Sequence, residues 1–101
     1  MSLTASQLLS LRQCAEEECS VIELLQEVRE GAEPLEQVRA KLIIALRALA
    51  EQAQVEFFLD EFASAAARSV SIPEALALLN EPATWDMHNP TQLHVAWVAA
   101  E

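Results

Sequence analysis

A single glycine, Gly31, is the feature of this sequence that most restricts what the chain can fold into and do. Dinucleotide-binding turns, phosphate-binding loops and nucleophile elbows need glycine at several positions, because only glycine fits their tight backbone. One glycine in 101 residues therefore excludes all three kinds of site. The chain is instead rich in alanine, leucine and glutamate, which are favourable in helices. We expect an all-α fold, with residues 1–101 in a single helical domain.

Two long amphipathic segments on either side of Gly31 predict an antiparallel long-helix hairpin over residues 4–54. The first segment begins with a capping-box pattern at Thr4 and Gln7. Gly31 suits the left-handed residue that often ends a helix, and Pro34 suits the first turn of the next helix, where a backbone N–H is not needed. A link of about three residues forces two such helices to lie antiparallel.

Residues 55–101 predict shorter helices and an irregular tail. The apolar side of the next segment points nearly opposite to that of the second helix. Either the helix breaks near residues 52–54, which we expect, or one long helix buries different faces at its two ends. That next segment reads as a third amphipathic helix. Its apolar positions are Phe58, Leu59, Phe62, Ala65, Ala66 and Ser69.

A short helix is expected over residues 73–80, because Ser71 and Glu74 show capping-box spacing at its start. The tail over residues 83–100 is ambiguous. An Asn-Pro pair favours a final helix, whereas alternating apolar residues favour a hairpin. We expect the helix, because an isolated hairpin is marginally stable in water.

Glu18 is a charged residue at an apolar position of the first predicted helix, because it lies in the middle of the apolar side. A carboxylate there must be paired, be protonated or reach water. Arg39 is the matching oddity of the second helix, but it lies ~10 Å too far along the axis to meet Glu18 inside one hairpin. One interpretation is a homodimer, in which two hairpins form a four-helix bundle and Glu18 meets Arg39 or Arg68 of the other copy to fix the register. The other is that Glu18 lies at an uncovered edge.

The net charge of −10 restricts the partners of the chain. Too few cations are present to displace counterions from phosphates, so we expect no direct binding to nucleic acid and no attachment to an anionic membrane. A basic protein is the natural complement. The candidate surface for it is an acidic side of the first helix, formed by Glu16, Glu23, Glu27 and Glu30. The alternative is that this side is simply solvated.

The location of the protein and the state of its cysteines follow from two further patterns. No segment approaches the ~18 apolar residues of a membrane span, and the first residues lack the features of a signal peptide. We therefore expect a cytoplasmic protein with reduced thiols. Cys14 and Cys19 lie on one predicted helix, where their side chains diverge and their Cα atoms lie more than ~7 Å apart, too far for a disulfide.

Few side chains in the sequence suit catalysis, so we expect no catalytic residue, no metal and no cofactor. The function that we expect is a protein–protein interaction module, of an adaptor, chaperone-like, immunity or antitoxin type. One alternative is a small metal- or ligand-binding enzyme that uses Glu18, Asp86, His88 and His94. Another is an inhibitor that imitates the charge of nucleic acid with the acidic side of the first helix.

Overall fold

The computed structural model describes residues 2–61 and 68–98 and has a mixed α/β fold, so the all-α expectation and the helical bundle are wrong. Within the described residues, no helix combines the length and the apolar character that crossing a membrane requires. In chain order the elements are α1 (Ala5–Glu16), β1 (Cys19–Ser20), α2 (Val21–Val28), α3 (Leu35–Glu51), β2 (Val55–Glu61), β3 (Arg68–Val70), α4 (Ile72–Leu79), a 3₁₀ turn (Pro82–Trp85) and β4 (Thr91–Trp97).

The four strands form one sheet in the order β1–β4–β2–β3, with every neighbouring pair antiparallel. Phe57 of β2 lies opposite Val95 of β4 and Val70 of β3, and all three side chains are buried. They belong to one core with the buried apolar side chains of the four helices. Because successive residues of a strand point to opposite faces, Phe58 and His94 lie on the other, less buried face.

Strands β2 and β3 replace the predicted third helix over residues 55–70. The helical period placed Phe58 in the core, but of the two described phenylalanines Phe57 is the buried one, with 1% of its surface exposed. Val55 and Phe57 are buried, whereas Glu56 and Phe58 are more exposed, which is the period of a strand with one covered face. Three other predicted positions of that helix lie outside the described residues: Phe62, Ala65 and Ala66.

The first predicted helix is interrupted, so the long-helix hairpin over residues 4–54 is also wrong. α1 ends at Glu16, Glu18 has a left-handed backbone with φ of 54°, and the next two residues pair with β4 as β1. α2 then begins after Ser20, whose hydroxyl accepts a hydrogen bond from the Glu23 amide. Pairing with a distant strand therefore overrides the local preference for one continuous helix.

Glu18 provides a test of this turn. A left-handed backbone costs a non-glycine residue roughly 1–2 kcal/mol, whereas glycine adopts it without steric strain but loses more chain entropy on folding. Glu18→Gly is therefore expected to raise the free energy of unfolding by about 0.5–1 kcal/mol, measured by urea denaturation. Glu18→Leu, which would be stabilising at a buried helical position, is expected to give no gain. A leucine variant that is more stable than the glycine variant would contradict a left-handed backbone at Glu18.

Several local signals read from the sequence are confirmed. The Thr4 hydroxyl accepts a hydrogen bond from the Gln7 amide at 3.1 Å, and the Gln7 side chain accepts one from the Thr4 amide at 3.0 Å, which completes the capping box. The break expected near residues 52–54 follows the end of α3, where Ala53 has φ of 56°. Ser71 caps α4 as expected. Caps and breaks were predictable because they depend on neighbouring residues alone.

The tail contains a strand, so the expectation of a final helix is wrong. β4 lies between β1 and β2, which removes the objection that an isolated hairpin would be unstable. Trp85 belongs to the preceding 3₁₀ turn, where its indole N–H donates a hydrogen bond to the Leu79 carbonyl at 3.0 Å. The alternation of Leu93, Val95 and Trp97 was therefore the correct signal, whereas that of Trp85 and Met87 does not mark a strand.

A buried glutamine holds α1 in place beside α2 and α3. Only 1% of the surface of Gln7 is exposed, and its amide N–H donates hydrogen bonds to the Val28 carbonyl at 3.2 Å and to the Glu33 carboxylate at 2.9 Å. Lys41 of α3 also contacts the Glu33 carboxylate, and this hydrogen bond is the main reason why the pKa of Glu33 lies below its ordinary value. These contacts among Gln7, Glu33 and Lys41 hold α1 and α3 in fixed positions relative to each other.

Candidate functional site

Exposed large hydrophobic side chains of α1 and α3 lie beside two neighbouring grooves. Leu8 and Leu9 of α1 are 45% and 56% exposed, and Ile44 of α3 is 55% exposed. Two grooves of about 390 and 260 Å³ lie beside these residues, and Leu8 lines both of them. We call this surface the α1–α3 face. Its lining residues are Ser2, Leu3, Ala5, Leu8, Leu9, Leu11, Arg12, Lys41, Ile44, Ala45, Ala48, Leu49 and Trp97.

The charges at the α1–α3 face are balanced locally. No carboxylate lines its two grooves. Arg12 lies over the Trp97 ring, 5.2 Å from its centroid, and forms an ion pair with Glu16 at 3.2 Å. Lys41 is paired with Glu33. The face is therefore apolar and nearly neutral, on a chain whose net charge is −10.

A second cleft lies beside the α1–β1 turn and has the opposite character. Its volume is about 400 Å³. Four carboxylates and two thiols line it, and none of its lining residues is basic. We call it the acidic cleft. Its lining residues are Ser10, Gln13, Cys14, Glu17, Glu18, Cys19, Glu23 and Glu27.

The four glutamates predicted to bind a partner do not form one surface. Glu23 and Glu27 of α2 line the acidic cleft. Glu16 forms the ion pair with Arg12 on α1, and the Glu30 carboxylate accepts a hydrogen bond from the Thr4 hydroxyl at 3.0 Å. Sequence reasoning placed all four on one helix, and the break at Glu18 separates them. Their role in binding a basic partner stays a prediction.

Glu18 and Arg39 lie in different parts of the molecule. Glu18 is exposed at the edge of the acidic cleft. Arg39 is partly buried in a small groove of about 90 Å³, beside Leu79 and Trp85. Glu18 therefore reaches water directly, because the helix that would have buried it ends two residues earlier. A role of the two residues in the register of an oligomer stays a prediction.

The two cysteines lie together, in contrast to the prediction that they diverge. The Cys14 and Cys19 thiols are near enough to affect each other's pKa, and both residues line the acidic cleft. Burial raises the pKa of Cys19 far above its ordinary value, and the neighbouring Cys14 thiol raises it further. Burial also raises the pKa of Cys14, although the neighbouring Cys19 thiol opposes this. The prediction failed because it assumed an unbroken helix between them.

The groups predicted for an alternative enzyme are not assembled into one site. The Asp86 carboxylate accepts a hydrogen bond from the backbone amide of His88 at 2.9 Å, as in a local turn. His94 lies on β4 instead, with its Nε2 atom 3.6 Å from the Asp60 carboxylate of β2. Among residues 2–61 and 68–98, no group of three or more His, Cys, Asp or Glu side chains is arranged to hold a metal ion. Sequence reasoning missed Asp60, because its proximity to His94 depends on the pairing of β2 with β4.

No family model, curated protein or solved structure shows a significant match to this chain. The geometry of its surfaces therefore has to carry the functional argument. Two surfaces stand out: an apolar, nearly neutral face on α1 and α3, and a carboxylate-lined cleft beside the α1–β1 turn.

Proposed function

We propose that this chain is a non-catalytic protein–protein interaction module that works as a homodimer, with the α1–α3 face as the surface where two copies meet. The observation that carries the proposal is the concentration of exposed apolar side chains. Three of the five large hydrophobic residues that are exposed in the described chain line this face, namely Leu8, Leu9 and Ile44, whereas Leu35 at the start of α3 lines neither groove.

Single exposed hydrophobic residues are normal, whereas the largest contiguous apolar patch of a small domain often serves association. Leu8 and Ile44 both line one groove, and Leu9 lines the adjoining groove with Trp97. Covering these side chains would remove apolar area from water, at about 25 cal/mol for each Å².

The charge distribution supports a second copy as the occupant. Two molecules that each carry a net charge of −10 repel each other over most of their surface. At the α1–α3 face this repulsion is weakest, since Arg12 and Lys41 are each paired with one glutamate and no carboxylate lines the grooves. A two-fold axis through this face would bring apolar side chains together without opposing like charges.

The dimensions of the face support a weak dimer. α3 has 17 residues and α1 has 12 residues. Helices of these lengths extend about 25 and 18 Å and are each about 10 Å wide, so the face measures at most roughly 430 Å². A standard stable interface buries about 800 Å² on each partner. We therefore expect a dissociation constant in the micromolar range, about 1–100 μM.

Sedimentation analysis of the wild type and of Ile44→Glu tests the proposal. The wild type is expected to change from monomer to dimer between about 1 and 500 μM. Ile44→Glu would place two carboxylates in a symmetric interface, and is expected to weaken association at least about 100-fold. Because Ile44 is 55% exposed, this substitution should leave the free energy of unfolding of the monomer nearly unchanged.

Met87→Glu is the matched control. Met87 is 66% exposed and lies in the turn before β4, outside the α1–α3 face. Its replacement adds the same charge and should leave the dissociation constant of the dimer within about twofold of the wild type. A wild type that stays monomeric at high concentration would exclude the dimer. Equal weakening by both substitutions would mean that added charge, and not this face, controls association.

The dimer would leave the acidic cleft free for a second protein. We infer that a basic segment is its complement, because Glu23 and Glu27 face the cleft together with two further carboxylates. Complementary charge mainly speeds association and selects the partner. Two copies would present two such clefts, so a partner with two basic segments would bind with greater avidity than one cleft alone provides.

A further inference from the structure

The two cysteines at the α1–β1 turn form a site that the proposed function does not use. We propose that Cys14 and Cys19 form a reversible disulfide within one chain, by exchange with a small-molecule disulfide such as oxidised glutathione. The bond would be a covalent modification of the turn, and it requires no second copy of the chain.

The turn brings the two thiols together. Cys14 lies in the last turn of α1, and Cys19 is the first residue of β1. Between them the chain reverses at Glu18, whose amide still donates a hydrogen bond to the Ala15 carbonyl at 3.0 Å. Both cysteines line the acidic cleft, their thiols are near enough to affect each other's pKa, and Cys19 is held in place by pairing with Val95. A disulfide needs the two sulfur atoms to approach to about 2 Å.

The exposure of the two residues sets the order of the reaction. Cys14 is partly exposed at the acidic cleft, whereas only 4% of the surface of Cys19 is exposed. A small disulfide therefore reaches Cys14 first. The Cys14 thiolate attacks one sulfur of the reagent, forms a mixed disulfide and releases one glutathione. Cys19 then loses its proton and attacks the Cys14 sulfur, which forms the internal bond and releases the second glutathione.

Atoms and electrons balance in this exchange. The two protein thiols are oxidised to one disulfide, and one molecule of glutathione disulfide is reduced to two thiols. The protons lost from Cys14 and Cys19 are taken up by the leaving thiolates, directly or through water. Reduced glutathione in excess drives the same steps in reverse, so the modification is reversible.

The surroundings of the thiols set the rate. Burial and the carboxylates of Glu23 and Glu27 raise the pKa of both cysteines, so few thiolates are present at neutral pH. Glutathione is itself anionic, and the acidic cleft repels it. The exchange is therefore expected to be slow at neutral pH, and to become faster as pH or salt concentration rises.

The experiment uses the reduced, folded full chain with oxidised glutathione at about pH 8.5, close to the ordinary pKa of a thiol. Free thiols and intact mass are followed with time. The wild type is expected to lose both thiols and two hydrogen atoms, without a retained glutathione. Peptide mapping should then locate the bond between Cys14 and Cys19, and excess reduced glutathione should restore both thiols.

Two single variants test the assigned order. Cys19→Ser is expected to retain one glutathione on Cys14, because no second thiol is present to displace it. Cys14→Ser is expected to react at least about tenfold more slowly than Cys19→Ser, because the remaining thiol is buried. The proposal is overturned if the folded wild type keeps both thiols while the urea-unfolded chain is oxidised. It is also overturned if the wild type accumulates a glutathione adduct or disulfide-linked copies instead of the internal bond.

Discussion

Replacing Phe57 with alanine is expected to lower the free energy of unfolding by about 3–5 kcal/mol. Phe57 is among the largest fully buried side chains of the described core and lies between Val95 and Val70 of the neighbouring strands. Removing its ring loses the transfer free energy of the buried carbons and leaves a cavity between sheet and helices. Small domains are stable by about 5–15 kcal/mol, so much of the stability would be lost. Equilibrium denaturation in urea measures the change.

Phe58→Ala is the matched control for this prediction, because it removes the same ring from the next residue. Phe58 lies on the less buried face of the sheet, beside His94. Its loss is expected to cost about 1 kcal/mol. A helix over this segment would reverse the ranking, since its period places Phe58 inside. A larger loss for Phe58→Ala than for Phe57→Ala would therefore contradict the strand β2.

The folded protein, kept reduced, is expected to lose stability as the pH rises above about 9. The pKa values of Cys14 and Cys19 are raised in the folded chain, so the folded state holds these protons more tightly than the unfolded state does. Their contribution to stability is fully present below the pKa of the unfolded thiols and decreases above it. One fully coupled group changes the free energy of unfolding by about 1.4 kcal/mol for each pH unit. Urea denaturation between about pH 8 and 10.5 measures this slope.

The chain is well suited to this measurement, because it contains no tyrosine, one lysine and two cysteines, and few other side chains change charge at alkaline pH. Cys19→Ala removes the more buried thiol. This variant is expected to be less stable at pH 8 but to show a flatter dependence on pH. Slopes are compared, so the initial loss of stability does not affect the conclusion. An unchanged slope would show that Cys19 is not responsible for the loss of stability at alkaline pH.

Local features of the fold were predictable, and long-range features were not. The capping box at Thr4 and the cap at Ser71 depend on residues within one turn, and both were read correctly. β1 has two residues, and its partner β4 lies near the other end of the described chain. No local period marks so short a strand. Ser20 and Glu23 carried the one available signal, since a capping box inside an expected helix implies a second helix start.

The assumption of an unbroken first helix also prevented the sequence from indicating the candidate surfaces. An unbroken first helix puts Glu18 on an apolar side and separates the two cysteines, whereas the turn places all three at one cleft. The α1–α3 face had a sequence signal, because Ile44 falls outside the apolar stripe that runs through Leu42 and Leu46. The exposure of Leu8 and Leu9 had no such signal, since the expected hairpin would have buried this side of the helix.

The position of β4 has a consequence for how the chain folds as it is made. β4 pairs with both β1 and β2 and so occupies the interior of the sheet, yet it comes from residues 91–97. A nascent chain that stops short of these residues has no partner for β1, and β2 retains one open hydrogen-bonding edge beside the apolar side chain of Phe57. Open edges of this kind pair readily with other chains. Chaperones would therefore be needed most during synthesis, to cover these open edges before β4 has emerged from the ribosome and completed the sheet.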